Sequence, residues 1–267
     1  MSHVVTLPLS ALLFMLLAFH PQLRPQLAGQ DMAQPTVQQA ALKGAWKFVS
    51  GNTPFATLPA GASAIAMMED GYFTVAYFHP TDKKFIGTYG GTYTASNGSL
   101  SLTFEYNTLD SATVGTSQAL TYSLQNGQLQ VAGTGQSDAL QQIWAKADQS
   151  STTSPLEGTW RITGRAGKDG TINPMQRGPR KTLKILSGNR FQWIAFNSET
   201  KQFSGTGGGT YTAANGKYTE HIDFFSRDPA RVGASLSFNY DVQDGKWLHS
   251  GKSSTGKDIN EVWEREK

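Results

Sequence analysis

Residues 205–228 read GTGGGTYTAANGKYTEHIDFFSRD. The Asn215-Gly216 step lies between two runs rich in Thr, Tyr, Ile and Phe. Both residues of such a step accept a positive φ, so the stretch predicts a β-hairpin with a tight turn. An earlier stretch repeats it. Residues 78–98 read FHPTDKKFIGTYGGTYTASNG and residues 196–216 read FNSETKQFSGTGGGTYTAANG, with 13 of the 21 positions identical. The chain is therefore an internal repeat, and the informative positions are those where the copies differ.

Outward from the hairpins, the copies share their ends. Leu42-Lys43-Gly44-Ala45-Trp46 opens one and Leu156-Glu157-Gly158-Thr159-Trp160 the other. Ile143-Trp144-Ala145-Lys146 and Val262-Trp263-Glu264-Arg265 close them. The offset drifts from 114 at the opening Trp to 118 at the hairpin and 119 at the end, which a few loop insertions explain. Residues 148–155 (DQSSTTSP) hold no apolar side chain and read as a linker. The predicted organisation is a signal peptide over 1–29, a polar lead over 30–41, a barrel over 42–147, the linker, and a second barrel over 156–267.

The signal-peptide reading rests on Leu7–Phe19 (LPLSALLFMLLAF), an apolar run short for a bilayer span, with cleavage near Leu27-Ala28-Gly29. It implies an exported protein, periplasmic or secreted, with no stable membrane insertion after cleavage. There is no cysteine, which excludes disulfides, thiolate metal sites and a cysteine nucleophile. A net charge of +3 without a Lys/Arg block argues against nucleic acid. Arg177–Lys184, broken by Gly178 and Pro179, reads as a solvated loop leading into a strand.

High Gly and aromatic content favours β-structure with tight turns. In the second copy, strands are predicted to start near Leu156, Lys181, Asn189, Lys201, Lys217, Gly233, Lys246 and Lys257, and the first copy follows the same plan. Eight sequential hairpin-linked strands per copy, with no long helix, predict two tandem up-and-down antiparallel β-barrels, because closure removes exposed edges. A flat sandwich is the alternative.

Gly158-Thr159-Trp160 on a first strand and Arg265 at the end of a last one resemble the lipocalin/calycin family; Gly44-Ala45-Trp46 with Lys146 is a weaker version. The longer pattern, GGGTYTAANGKYTEHIDFFSRD through HSGKSSTG to EVWER, is similar to secreted lipocalin-like proteins of Bacteroidota. The resemblance implies a lipocalin-like barrel in each copy, with the terminal cation packed on the Trp to close the barrel base. Fold analogy does not fix function.

Strand residues alternate faces. Leu100, Leu102, Phe104 and Tyr106 form one apolar face, matched in the second copy by Tyr218, Glu220, Ile222 and Phe224. Likewise Leu120, Tyr122 and Leu124 match Phe238, Tyr240 and Val242, and Val131 and Gln142 match His249 and Glu261. Three inward positions thus change together, from Leu102, Val131 and Gln142 to Glu220, His249 and Glu261. The expectation is a wet, polar pocket in the second barrel, walled by Trp193, Tyr218, Tyr240 and Trp247, and a drier, better filled first barrel. Arg227 and Arg231, absent from the first copy's loop, are candidate ligand clamps or salt-bridge partners.

The favoured reading is a protein binding a small polar, ring-stacking ligand, such as a carbohydrate or other small metabolite, in the C-terminal barrel, with no cofactor. Glu220, His249 and Glu261 alternatively form acid and base groups of a hydrolase, lyase or isomerase, or a self-satisfied internal network, for instance Glu261 with Arg227 or Arg231. An interaction module with filled barrels is a further alternative. No HxH or HExxH spacing supports a metal site. Gly207-Gly208-Gly209 lacks the Lys-Ser/Thr of a phosphate loop and reads as barrel curvature.

Overall fold

Asn97-Gly98 and Asn215-Gly216 adopt the same turn, with φ of 50° and 76° in the first and 51° and 73° in the second. Paired positive φ values are what a two-residue hairpin turn requires. Around these turns the computed structural model describes residues 1, 37–54, 58–134, 140–147, 154–167 and 169–266. The signal-peptide call lies outside the described residues apart from residue 1, as do most of the polar lead and residues 148–153 of the linker. Among the described residues no helix is long and apolar enough to cross a membrane.

A short helix α1 (Val37–Leu42) precedes eight strands: β1 (Gly44–Gly51), β2 (Ser63–Glu69), β3 (Tyr72–His79), β4 (Lys84–Ser96), β5 (Ser99–Asn107), β6 (Ser117–Gln125), β7 (Gln128–Gly133) and β8 (Gln141–Lys146). Each pairs antiparallel with the next, and β8 returns to β1, so the sheet closes as a barrel. The second copy contributes β9 (Gly158–Ala166), β10 (Ile172–Pro174), β11 (Arg180–Ser187), β12 (Arg190–Asn197), β13 (Gln202–Ala214), β14 (Lys217–Phe225), β15 (Ser235–Gln243), β16 (Lys246–Lys252) and β17 (Asp258–Arg265). Here β17 closes on β9, and β10 is an extra three-residue strand beside the far end of β9. The structure is two up-and-down barrels, not a flat sandwich.

The glycine triplets act on the register. Gly90/Gly91 and Gly208/Gly209 each carry a β-bulge, which leaves Glu105 and Asp223 as extra residues in the facing strands. Past a bulge the alternation inverts. Phe104 and Ile222 therefore point into their barrels, but Tyr106 and Phe224 turn outward. Strict alternation assigns these two to the lumens, and the bulge is why they are elsewhere.

Those outward rings join the barrels. Phe78 lies 4.9 Å from Phe224, and Tyr106 lies 4.9 Å from Phe196. Phe85 stacks on Phe203 at 6.3 Å. Thr74 Oγ1 donates to Gln192 Oε1 at 2.7 Å, and Gln192 Nε2 donates to Thr88 and Thr206 hydroxyls at 3.0 Å each. With twins 118 positions apart, Phe85 meets its twin Phe203, Thr74 meets its twin Gln192, and Phe78 and Tyr106 each meet the other's twin. The contact is that of a two-fold dimer made within one chain.

Candidate functional site

The polar residues of the second copy do come together. Glu220 is 4% exposed, His249 2% and Glu261 8%. The sequence reading missed a fourth member: Lys184, 4% exposed, whose ammonium lies 2.8 Å from Glu220 Oε1. It sits on β11 between outward-facing Leu183 and Ile185, so alternation turns it into the barrel. It is not part of a solvated loop. The signal was present in the repeat, because Lys184 stands where the first copy has Ala66, each beside the opening Trp of its barrel.

The network is dense. Tyr218 Oη donates to Glu220 Oε1 at 2.9 Å, and the Lys184 ammonium stands 5.0–5.3 Å from the ring centres of Tyr218, Trp247 and Trp263. His249 Nδ1 lies 3.3 Å from Glu261 Oε2, which also accepts from Trp263 Nε1 at 3.1 Å. Glu261 Oε1 meets Arg165 at 3.2 Å. Burial, then the Lys184 charge, push the His249 imidazole below its ordinary value, against the pull of Glu261 and Glu220. Burial alone would raise Glu261, but His249, Lys184 and Arg165 hold it below the ordinary carboxylate range. A carboxylate only accepts, so Nδ1 carries the His249 proton and Nε2 is left as an acceptor. That Nε2 and the Trp247 Nε1–H are both buried without a hydrogen-bond partner.

Among the remaining predicted residues, Tyr218 and Trp247 are fully enclosed, whereas Trp193 and Tyr240 are half-buried beside this core. Arg227 and Arg231 do not reach Glu261. Arg227 Nε donates to the Ser204 carbonyl at 2.9 Å, and Arg231 binds Asp228 and the Ser254 carbonyl. Among the described residues no cluster of three or more His, Asp or Glu side chains could hold a metal ion.

The first barrel differs from expectation. Its lumen is apolar but not filled: a cavity of about 820 Å³ runs into it. Its walls include Phe73, Leu100, Leu102, Leu129, Val131 and Trp144. Its polar rim is formed by Thr53, Asn107, Asp110, Thr116, Gln118 and Gln142. The repeat explains the space. Tyr218, Trp247, Lys184 and His249 fill the second barrel where the first has Leu100, Leu129, Ala66 and Val131. Smaller side chains on a rigid barrel leave a void, because the closed sheet cannot collapse onto them.

Both barrels close at the end opposite the cavity mouth in the same way. Gly44 and Gly158 hold φ of 139° and 136°, a region that favours glycine. The next residue but one is a Trp whose Nε1 donates to a carbonyl four residues back, at 2.9 Å for Trp46 and 2.8 Å for Trp160. A cation from the last strand lies 3.9 Å over each ring, Lys146 on Trp46 and Arg265 on Trp160. The two barrels are lipocalin-like.

The C-terminal lipocalin-like barrel, residues 155–267, matches a family model described as "Domain of unknown function (DUF4488)". No curated protein matches the chain. The crystal structure of a lipocalin-like protein from Bacteroides uniformis ATCC 8492 aligns with 42% of this chain and 100% of its own, at 13% identity and a TM-score of 0.30.

The two lipocalin-like barrels also differ at the loop that follows β5 and β14. Each loop forms a 3₁₀ turn, Ser111–Thr113 or Pro229–Arg231, capped by an aspartate whose Oδ1 accepts a backbone N–H at 3.0 Å. In the second barrel Arg231 neutralises that aspartate, at 3.0 Å from Asp228 Oδ2, and reaches the Ser254 carbonyl on a neighbouring loop. The mouth is thereby latched. In the first barrel the twin of Arg231 is Thr113, and among the described residues no arginine binds Asp110.

Proposed function

We propose that this chain is an exported binding protein whose N-terminal barrel holds a small, mainly apolar ligand. The observation that carries the reading is the cavity of about 820 Å³ in the first barrel, apolar within and polar at the rim. Pockets of roughly 300–1,000 Å³ with such walls suit small organic ligands. Export is supported by the apolar run Leu7–Phe19. The test uses a neutral fluorescent probe, N-phenyl-1-naphthylamine, whose emission rises in apolar sites. Leu100→Tyr with Leu129→Trp copies the second barrel's side chains into the first and should abolish the rise. Unchanged probe binding in that folded variant would sink the proposal.

A second reading places a small polar ligand, such as a sugar, in the C-terminal barrel against Glu220, His249, Glu261, Trp193, Tyr218, Tyr240 and Trp247, which requires the packed side chains of that lumen to part. It is favoured by the buried Nε2 of His249 and Nε1 of Trp247, an acceptor and a donor left without partners. A ligand hydroxyl supplies both complements. Here Glu220→Leu with His249→Val should abolish ligand binding and leave probe binding in the first barrel intact. Mass spectrometry of the native protein with and without those changes identifies any small molecule that is lost.

A further inference from the structure

The repeat contains its own control for the mouth of the first barrel. Asp110 and Asp228 are twins, and both use Oδ1 to cap the same 3₁₀ turn. Asp228 Oδ2 is bound by Arg231 at 3.0 Å. Asp110 Oδ2 has no partner among the described residues, because Thr113 stands where the second copy has the arginine. Asp110 is exposed and lines the cavity. The other rim groups are engaged within the protein: Asn107 binds Thr113 and two loop N–H groups, and Gln142 binds the Asn52 carbonyl and Trp144 Nε1.

The lining of this cavity contains no Lys, Arg or His among the described residues. The cation that reaches the turn, Lys201 of the second barrel, is tied to the Ala112 carbonyl at 3.3 Å. An apolar ligand seated in the lumen therefore meets, at the rim, a carboxylate oxygen that is open to a donor. A carboxylate head would find no cation in the lining and would face Asp110 as a like charge.

We infer that the first barrel selects amphiphiles whose polar end is a hydrogen-bond donor, above all an ammonium group, and that Asp110 is the residue that reads it. The inference rests on the proposed use of the first barrel and adds the class of head group. An ion pair at an exposed rim is worth up to about 1 kcal/mol, or roughly fivefold in affinity.

The test is displacement of N-phenyl-1-naphthylamine by decylamine, decanol and decanoate at neutral pH. Decylamine should displace the probe at about threefold lower concentration than decanol, and decanoate at a higher one. Asp110→Asn keeps an oxygen for the cap and removes the charge. It should erase the amine's advantage and leave decanol unchanged. Equal displacement by amine and carboxylate in the natural protein, or an amine preference that survives Asp110→Asn, overturns the inference while leaving apolar binding in place. Failure of the probe itself to bind removes the proposed function and the head-group selection with it.

Discussion

Lys184 shows how one side chain reorganises a lumen. Its ammonium is 2.8 Å from Glu220, and both groups are buried. Removing one partner of a buried ion pair strands the other, typically at about 3–5 kcal/mol. Lys184→Ala, which restores the first copy's residue, should destabilise by that order in denaturant unfolding. Adding Glu220→Leu should recover most of the loss, and a double variant no more stable than the single would refute the pairing. The neighbouring His249 sets a pH dependence. Its imidazole titrates below the ordinary value of about 6.5 in the folded protein, so the unfolded chain takes up the proton first. Its contribution is complete above about pH 6.5 and falls as pH drops toward the lower folded value. Glu261 is likewise depressed, so its contribution is lost in the same direction, beginning below the ordinary 4.5. Melting temperatures from pH 8 to pH 4 should decline from about pH 6.5 in the natural protein, and His249→Val should remove the upper part of that decline. Glu220, His249 and Glu261 were legible because the first copy has Leu, Val and Gln at the same inward positions. Lys184 was legible by the same comparison. It escaped notice because a basic run read as solvated loop hid its alternation with Leu183 and Ile185.

At the scale of the strand, the glycine triplets decide which face a residue takes. A Cβ on Gly209 would lie 2.0 Å from the His221 carbonyl oxygen and 2.7 Å from the Asp223 nitrogen. The bulge has no room for it. Gly209→Ala should cost about 1–3 kcal/mol, as overpacking generally does. Gly178→Ala is the matched control, since nothing lies within 4 Å of its Cβ position, and it should change stability by no more than about 0.5 kcal/mol. Equal effects of the two in denaturant unfolding would show that the bulge tolerates a side chain. The sequence marked the triplets as curvature but did not reveal where the extra residue falls. One residue of register separates a lumen ring from an interface ring, and the pairing partner determines it.

Across the whole molecule, the two barrels share one apolar and aromatic contact built from Phe78, Phe196, Phe224, Tyr106 and their neighbours, with Gln192 at its polar centre. Truncating a buried Phe to Ala costs about 3–5 kcal/mol. Calorimetry of the natural protein should give a single transition, because neither barrel can leave the contact without exposing these rings. Phe196→Ala with Phe224→Ala should split it into two, with the cavity-bearing first barrel melting lower. A single transition in that variant would mean that the barrels are coupled by something other than this face.

The amino-acid sequence alone determined the repeat, the eight barrel strands of each copy and the hairpin turns. Each of these follows from local rules of turn geometry, alternation and pairing of neighbours. Only the tertiary structure decided which barrel is hollow. Whether a lumen is filled depends on how side chains from eight strands meet across it. A carboxylate that reads as a wet pocket along one strand becomes packing material once a lysine from another strand reaches it. An apolar face that reads as a filled core leaves a cavity where its leucines and valine replace tyrosine, tryptophan and histidine.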